Sequence, residues 1–456
     1  MTRPFGKVLI ANRGEIAVRV IRTCRELGIA TVAVHSAADR DSAAVRLADE
    51  HVQIGPAPAK RSYLSIPAII EAARATGADA IHPGYGFLSE DPDFAEVCQA
   101  EGFVFVGAPS AVMARLGDKS TARALMADAG LPLLPGSRDA VDDPDAARAL
   151  ADEIGYPVII KAVAGGGGRG MRVVRDGDEF ATAWQHTRAA AAAVFGDGRL
   201  YVERYLESAR HVEVQILADT HGTVRHLGLR DCSLQRRHQK LVEESPAPGL
   251  APDLADRIGA AAVRGCAAAG YVGAGTVEFL LAPDGRFYFM EVNCRLQVEH
   301  PVTEMVTGVD LVAEQLRIAA GEPLTLGADR RPEGVAIECR LNAEDPERGF
   351  APAPGTLTRC ELPAGPFVRV DTHVAPGYAV PPHYDSLLAK VIVWGPDRPT
   401  AIARMRRALA ETTIAGPGVA TTTDFLHDIL DHPRFRAATH DTALIGELNT
   451  PAAVTS

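Results

Sequence analysis

Residues 287–301 read Phe287-Tyr288-Phe289-Met290-Glu291-Val292-Asn293-Cys294-Arg295-Leu296-Gln297-Val298-Glu299-His300-Pro301, and the rest of the chain is organised around them. In an extended conformation successive side chains point to opposite faces. Glu291, Asn293, Arg295, Gln297 and Glu299 then share one side, and Val292, Cys294, Leu296 and Val298 the other. An edge strand with one wet face would explain alternation alone. Such a face normally carries Lys, Thr and Ser, whereas this one has two carboxylates, an amide and a guanidinium. A further carboxylate, Glu278, ends the apolar run Gly275-Thr276-Val277. Three oxygen donors, Glu278, Glu291 and Asn293, suit a hard cation such as Mg²⁺ or Mn²⁺. Arg295 offers a planar fork to a small carboxylate-like anion. Glu299 lies beyond the metal set, free to act as a base.

At 456 residues the chain has the length of about three domains and can bury a large core. Apolar content of 47% and charged content of 23% are ordinary for a globular protein. No stretch reaches the length of a membrane span. Met1 to Lys7 leads straight into a strand without a signal-peptide core, so a soluble cytoplasmic protein is expected. A net charge of −11 argues against a nucleic-acid partner. Seven scattered cysteines (24, 98, 232, 266, 294, 339, 360) with no C-x-x-C pattern read as reduced core residues.

The pattern Lys7-Val8-Leu9-Ile10-Ala11, a helix from Glu15 to Leu27 ended by Gly28, and the strand Thr31-Val32-Ala33-Val34 form a βαβ unit. Asn12-Arg13-Gly14 is not G-x-G-x-x-G, so a bound dinucleotide is not expected. Ser65 should cap a helix to about Thr76, and the strand Ala78 to Ile81 empties into His82-Pro83-Gly84-Tyr85-Gly86-Phe87-Leu88-Ser89-Glu90. Loops at the carboxyl ends of parallel strands bind ligands, although a structural Pro-Gly turn explains this one equally well. Asp118-Lys119 opens another helix. The buried strand Pro157 to Ala162 carries Lys161, which should contact an anion. Val163-Ala164-Gly165-Gly166-Gly167-Gly168-Arg169-Gly170-Met171 follows, a glycine run able to cradle phosphate but without Walker spacing. The Ala-rich run 188–193 reads as helix. Leu200 to Leu206 reads as a strand, and the alternating His211 to Ile216 offers backbone groups to a purine edge. Arg230 to Lys240 packs four cations and a histidine into an acidic protein: a solvated charge run by itself, an anion site beside a phosphate loop. The last third is Pro- and Gly-rich with short strands, Arg340 in an otherwise apolar one. Leu387 to Val393 reads as core, and two amphipathic helices from Pro399 precede an unstructured end after about Thr450.

Taken together, five motifs in order resemble the biotin carboxylase family of the ATP-grasp superfamily. They are Ile10-Ala11-Asn12-Arg13-Gly14-Glu15-Ile16, the segment His82 to Glu90, the glycine loop, Arg236-Arg237-His238-Gln239-Lys240, and Glu291-Val292-Asn293 with Arg295 to Pro301. The resemblance implies an α/β chain (mixed α+β). A Rossmann-like parallel-sheet domain would cover 1–117, an ATP-grasp fold 118–334 with a mobile lid at about 133–206, and a C-terminal mixed β-sheet domain 335–450. It implies carboxylation of biotin by bicarbonate and ATP through carboxyphosphate, with two Mg²⁺ or Mn²⁺ ions. Carried over residue by residue, Lys119, Lys161, Gly166 and Gly167 would hold ATP phosphates, and Glu203, Arg204 and Leu206 would face adenine. His211, Gln235, His238 and Lys240 would surround nucleotide and carboxyphosphate. Glu278, Glu291 and Asn293 would bind metal, the two carboxylates also touching ATP. Lys240, Arg295, Gln297 and Val298 would form the bicarbonate pocket. Glu299 would be its base, Arg340 the cation facing the biotin enolate, and Tyr85 a further biotin contact.

Two features depart from the pattern: Val163-Ala164 where many members have Ser-Gly, and Cys294 where Thr or Ser is common. No Met-Lys-Met tripeptide occurs and there is no room for a carboxyltransferase. The resemblance therefore implies biotin on a separate carrier protein, a separate carboxyltransferase, a homodimer, and the first half-reaction of an acyl-CoA carboxylase, acetyl-CoA carboxylase foremost. The alternatives are another ATP-grasp ligase and a non-catalytic ATP-binding subunit of a carboxylase complex.

Overall fold

Short apolar runs punctuated by glycine build a parallel sheet at the N-terminus. The computed structural model describes residues 4–137, 139–165, 170–327 and 331–448. In it β1 (Lys7–Ile10), β2 (Ala30–Ser36), β3 (Glu50–Gly55), β4 (Ala80–His82) and β5 (Val104–Phe105) pair in parallel in the order β3-β2-β1-β4-β5. The helix Gly14–Glu26 crosses from β1 to β2 and buries Ile16, Val20, Ile21 and Cys24 of the stripe its spacing predicts, while Leu27, the last of that stripe, is half-buried at the C-cap. The strand order reverses between β1 and β4, so the loops leaving these two strands lie side by side, where open parallel sheets bind ligands. Asn12 ties them together, its Nδ2 donating to the carbonyls of Pro83 and Tyr85 at 2.6 and 2.7 Å.

A small antiparallel sheet follows, β6 (Val158–Ala162), β7 (Met171–Val174) and β8 (Leu200–Arg204) in the order β7-β6-β8. The helices Pro144–Ile154 and Gly177–Phe195 pack on it around Phe180 and Trp184, and the Ala-rich run lies in the second. The glycine-loop residues Gly166 and Gly167 lie outside the described residues.

The central and C-terminal parts share one sheet. β9 (Arg210–Ala218), β10 (Val224–Arg236), β11 (Gln239–Ser245), β12 (Gly273–Leu281), β13 (Phe287–Asn293) and β14 (Val335–Asn342) belong to it. After the short pair β15 (Glu344–Asp345) and β16 (Ala351–Pro352) come β17 (Arg359–Glu361), β18 (Val368–Thr372), β19 (Leu387–Gly395) and β20 (Thr413–Ala415), of which β17 pairs with β20. The eight-stranded sheet runs β13-β12-β9-β10-β11-β14-β19-β18, antiparallel throughout. Val391 and Val393 are fully buried, as the apolar run at 387–393 predicts. The helices Arg398–Ala410 and Thr423–Asp431 are followed by two shorter ones, and the expected loose end after Thr450 lies outside the described residues. Among the described residues no helix is long and apolar enough to cross a membrane.

Two local expectations give way. β9 sits between β12 and β10 and spends its backbone groups on both neighbours, so it has no free edge for a purine. It sends the side chains of His211, Glu213 and Gln215 inward instead. The alternation from 291 to 299 is not one strand. β13 stops at Asn293, where the Cys294 N–H donates to Glu90 Oε1 at 2.8 Å rather than to a neighbouring strand. The chain then turns until Pro301 helps start the helix His300–Thr307, with Glu299 at its N-cap position.

Candidate active site

The register of three strands builds the acidic floor. Glu278 on β12 lies opposite Glu291 on β13 and Glu213 on β9, while Thr276 lies opposite Asn293, so their side chains emerge in adjacent rows on one face. Glu278 Oε1 accepts from Asn293 Nδ2 at 2.9 Å, Gln297 Nε2 at 3.1 Å and Lys240 Nζ at 3.0 Å, and Oε2 lies 2.9 Å from His211 Nε2. His211 Nδ1 in turn meets Gln235 Nε2 at 3.3 Å. Burial would raise the Glu278 pKa, but Lys240 and His211 hold its carboxyl well below the usual range. Glu291 goes the other way, raised by burial and by the Glu278 carboxylate. Among the described residues no cation lies within ion-pair distance of it. Glu278 and Glu291 face each other, and Asn293 turns its amide nitrogen to Glu278 and its oxygen to Arg295; these carboxylate and amide oxygens are of the type a hard divalent cation takes.

Lys240 is the hub. Its Nζ lies 2.6 Å from Glu213 Oε2 and 2.5 Å from Glu299 Oε1, besides its bond to Glu278. Glu299 is completely shielded from solvent, and its second oxygen accepts from Arg340 Nη2 at 2.9 Å. Burial would favour the protonated acid, yet Lys240, Arg340 and Arg230 keep Glu299 ionised, well below the usual carboxylate range. Arg340 is shared with Glu243, a buried carboxylate. Burial and the Glu299 charge push Glu243 up to about 7 despite Arg340. Arg295, from the turn after β13, is fixed by Glu90 Oε2 at 2.7 Å, Gln297 Oε1 at 3.0 Å and Asn293 Oδ1 at 3.1 Å. The Val298 carbonyl accepts from Lys390 at 2.8 Å. Tyr85 donates its hydroxyl to Glu15.

A second group of charges lies towards the small sheet. Half-buried Lys161 has its Nζ 2.5 Å from Glu203 Oε2, and Arg123 pairs with the other oxygen. Lys119 opens the helix Lys119–Asp128, which Asp118 caps. Burial and the neighbouring Lys161 lower its pKa against the pull of Glu291. The Arg204 side chain turns away to the carbonyls of Ile154 and Gly155, both at 2.9 Å, and Leu206 lies in the connection to β9. His238, at the tip of the β10–β11 hairpin with φ 66°, has its pKa lowered by burial, Lys161 and His211.

The cationic segment 230–240 is thus a hairpin that rises from core to surface, not a solvated run. Arg230 is fully buried, with Nε 2.5 Å from Glu213 Oε1 and Nη1 donating to Gln215 and Thr303. Sequence reasoning missed Glu213, Glu243, Arg123 and Glu15 as members of the charge network, whereas Arg230 stood in its cationic segment. For Glu213 the signal was present in the His211-Glu213-Gln215 alternation; Arg123, inside an amphipathic helix, carried none.

The facing carboxylates of β12 and β13, crossed by Lys240 and neighboured by Lys119 and Lys161, are in keeping with an ATP-grasp ligase, and residues 118–326 match the ATP binding domain of the carbamoyl-phosphate synthase L chain. Residues 4–113 match the biotin carboxylase N-terminal domain and residues 338–447 the biotin carboxylase C-terminal domain. The chain belongs to the biotin carboxylase family. It is 54% identical over 446 residues to a biotin carboxylase of Nostoc sp., covering 98% of this chain and 99% of that one. It is 52% identical over 444 residues to a pyruvate carboxylase subunit of Methanothermobacter thermautotrophicus, covering 97% and 90%. The crystal structure of the biotin carboxylase domain dimer of Hydrogenobacter thermophilus 2-oxoglutarate carboxylase, in complex with MgADP, ADP and bicarbonate, superposes with a TM-score of 0.94. That match is at 46% identity and covers 98% of this chain and 99% of that one.

Proposed function

We propose that the chain carboxylates biotin borne on a separate carrier protein, using ATP and bicarbonate through carboxyphosphate, as the first half-reaction of an acyl-CoA carboxylase. The observation that carries this reading is Glu299, solvent-free and ion-paired to both Lys240 and Arg340. A base held so can take the bicarbonate proton only as its cations turn to the substrate. Arg295, Gln297 and the Val298 segment would orient bicarbonate, with Lys240 offsetting the charge of carboxyphosphate. Lys119, Lys161, His238 and the glycine loop with Gly166 and Gly167 would hold ATP phosphates, as the MgADP-bound relative supports, while the Glu203-to-Leu206 segment would face the base. Glu278, Glu291 and Asn293 would hold Mg²⁺ or Mn²⁺, which when bound neutralises phosphate charge. Arg340 would stabilise negative charge developing on the ureido oxygen of biotin, with Tyr85 beside it.

The choice of the final carboxyl acceptor belongs to a carboxyltransferase partner. Acetyl-CoA is our first choice, and the relationship to a pyruvate carboxylase subunit keeps pyruvate as the second. A relative described as a domain dimer supports a homodimer here. The test is ADP release from the purified chain with ATP, Mg²⁺, bicarbonate and biotin, with carboxybiotin followed by mass spectrometry. We expect release to depend on both bicarbonate and biotin. Turnover indifferent to either overturns the reading in favour of another ATP-grasp ligase, and no turnover favours a binding subunit.

A further inference from the structure

Lys390 on β19 is fully buried, and the reaction outlined above gives it no part. It lies opposite Arg340 on β14 and opposite Asp371 on β18, so the three charges form one rung across three strands. Its ammonium points out of the sheet and makes two unlike contacts. Nζ donates to the Val298 carbonyl at 2.8 Å and pairs with Glu15 Oε1 at 3.1 Å, while Asp371 Oδ2 stands 4.0 Å away. Glu15 is the acidic residue in the first turn of the helix Gly14–Glu26, and the same Oε1 accepts the Tyr85 hydroxyl. One cation therefore joins a C-terminal strand, the first helix of the chain and the turn that carries Arg295 to Glu299. Burial pulls the Lys390 pKa down, but Glu15, Glu338 and Asp371 more than offset it, so the ammonium stays charged.

Resting on the function proposed above, we propose that Lys390 is a positioning residue that sets the bicarbonate turn and the biotin-facing Tyr85 in register with each other. Its hold on the Val298 carbonyl fixes the plane of the peptide leading into Glu299. Its hold on Glu15 fixes the acceptor of the Tyr85 hydroxyl. The two substrates must meet within near-attack distance, and a shift of about 1 Å in either partner costs on the order of 100-fold in rate. No other cation among the described residues contacts both Glu15 and Val298.

The test compares Lys390→Met, Glu15→Gln and the double variant in steady-state ADP release with free biotin, alongside thermal unfolding. Removing one partner of a buried pair strands the other charge, so the charge-neutral double variant keeps the experiment decisive if Lys390→Met alone does not fold. We expect Lys390→Met to raise KM for bicarbonate and for biotin by about tenfold each, the scale of one charged hydrogen bond, with KM for ATP within about twofold. Glu15→Gln should raise KM for biotin alone. The double variant should melt close to the wild type and keep the bicarbonate defect. A folded double variant with unchanged KM for bicarbonate and biotin overturns the inference, as does a KM for ATP that rises in step with the other two. If the wild type itself lacks bicarbonate- and biotin-dependent ADP release, the proposed function fails and this inference with it; if only the variants behave as wild type, this inference alone fails.

Discussion

Lys240 Nζ and Glu299 Oε1 are 2.5 Å apart, and Arg340 holds the opposite oxygen of the same carboxylate. Glu299 is therefore a weak base at rest and becomes stronger when a substrate draws either cation away. Glu299→Gln keeps the shape and removes the charge. We expect biotin-dependent turnover to fall by about 100-fold or more, the scale of losing a general base, with ATP affinity nearly unchanged by isothermal titration. Near-wild-type turnover would remove Glu299 from this role.

Glu291 faces Glu278 across β12 and β13 and, among the described residues, has no cation within ion-pair distance, Lys119 attracting it only from farther off. Glu291→Gln relieves a like-charge repulsion, so the apoprotein should be no less stable. The Mg²⁺ concentration for half-maximal ADP release should rise by about tenfold, the loss expected of one charged ligand. A magnesium titration reads this directly, and an unchanged midpoint argues against metal binding by Glu291.

Burial pushes the His82 imidazole down to about 4 from an ordinary value of 6.5. Between these values the unfolded chain binds a proton that the folded chain refuses, so stability rises with pH through this window and is lost as pH falls through it. At pH 5 the loss is about 2 kcal/mol relative to pH 7.5. His82→Asn keeps an acceptor for the Gly84 N–H, which His82 Nδ1 takes at 3.0 Å, and removes the titration. Urea unfolding at the two pH values should show a smaller difference in the variant. His373, lowered by burial and Arg13 to about 3, acts in the same direction and leaves a residual slope.

Arg398 Nε lies 2.8 and 3.1 Å from the two oxygens of Glu244, whose carboxyl burial raises to about 7. Arg398→Leu strands that carboxyl and should destabilise by about 3–5 kcal/mol at pH 8. At pH 6 the acid can protonate, so the cost should be smaller there. Thermal denaturation at both pH values checks the sign.

Much of the architecture is visible in the sequence because periodicity reports burial. The buried Ile16, Val20, Ile21 and Cys24 of the βαβ helix and the helix start at Asp118-Lys119 appear in the structure where the pattern places them, whereas Ser65 stands at its helix start without a side-chain cap bond. Alternation misleads where both faces are buried. In β9, His211, Glu213 and Gln215 look like a wet face but are enclosed, because they satisfy one another's neighbours in a polar core. The polar residues from Arg295 to Glu299 reach the site through a turn, which the period-2 rule cannot describe. Partners such as Glu90 for Arg295 lie 205 residues away in sequence, and no local pattern can pair them.

The ladder from β11 to β14, Val242 with Cys339 through Ser245 with Ala336, makes the central and C-terminal parts a single woven surface. A protease cutting the connection between Gly321 and Val335 would therefore leave two pieces that co-migrate until denatured. Expressing either piece alone would bare a long apolar strand edge and invite aggregation. Truncation is the wrong tool for dissecting this molecule, and point substitution the right one.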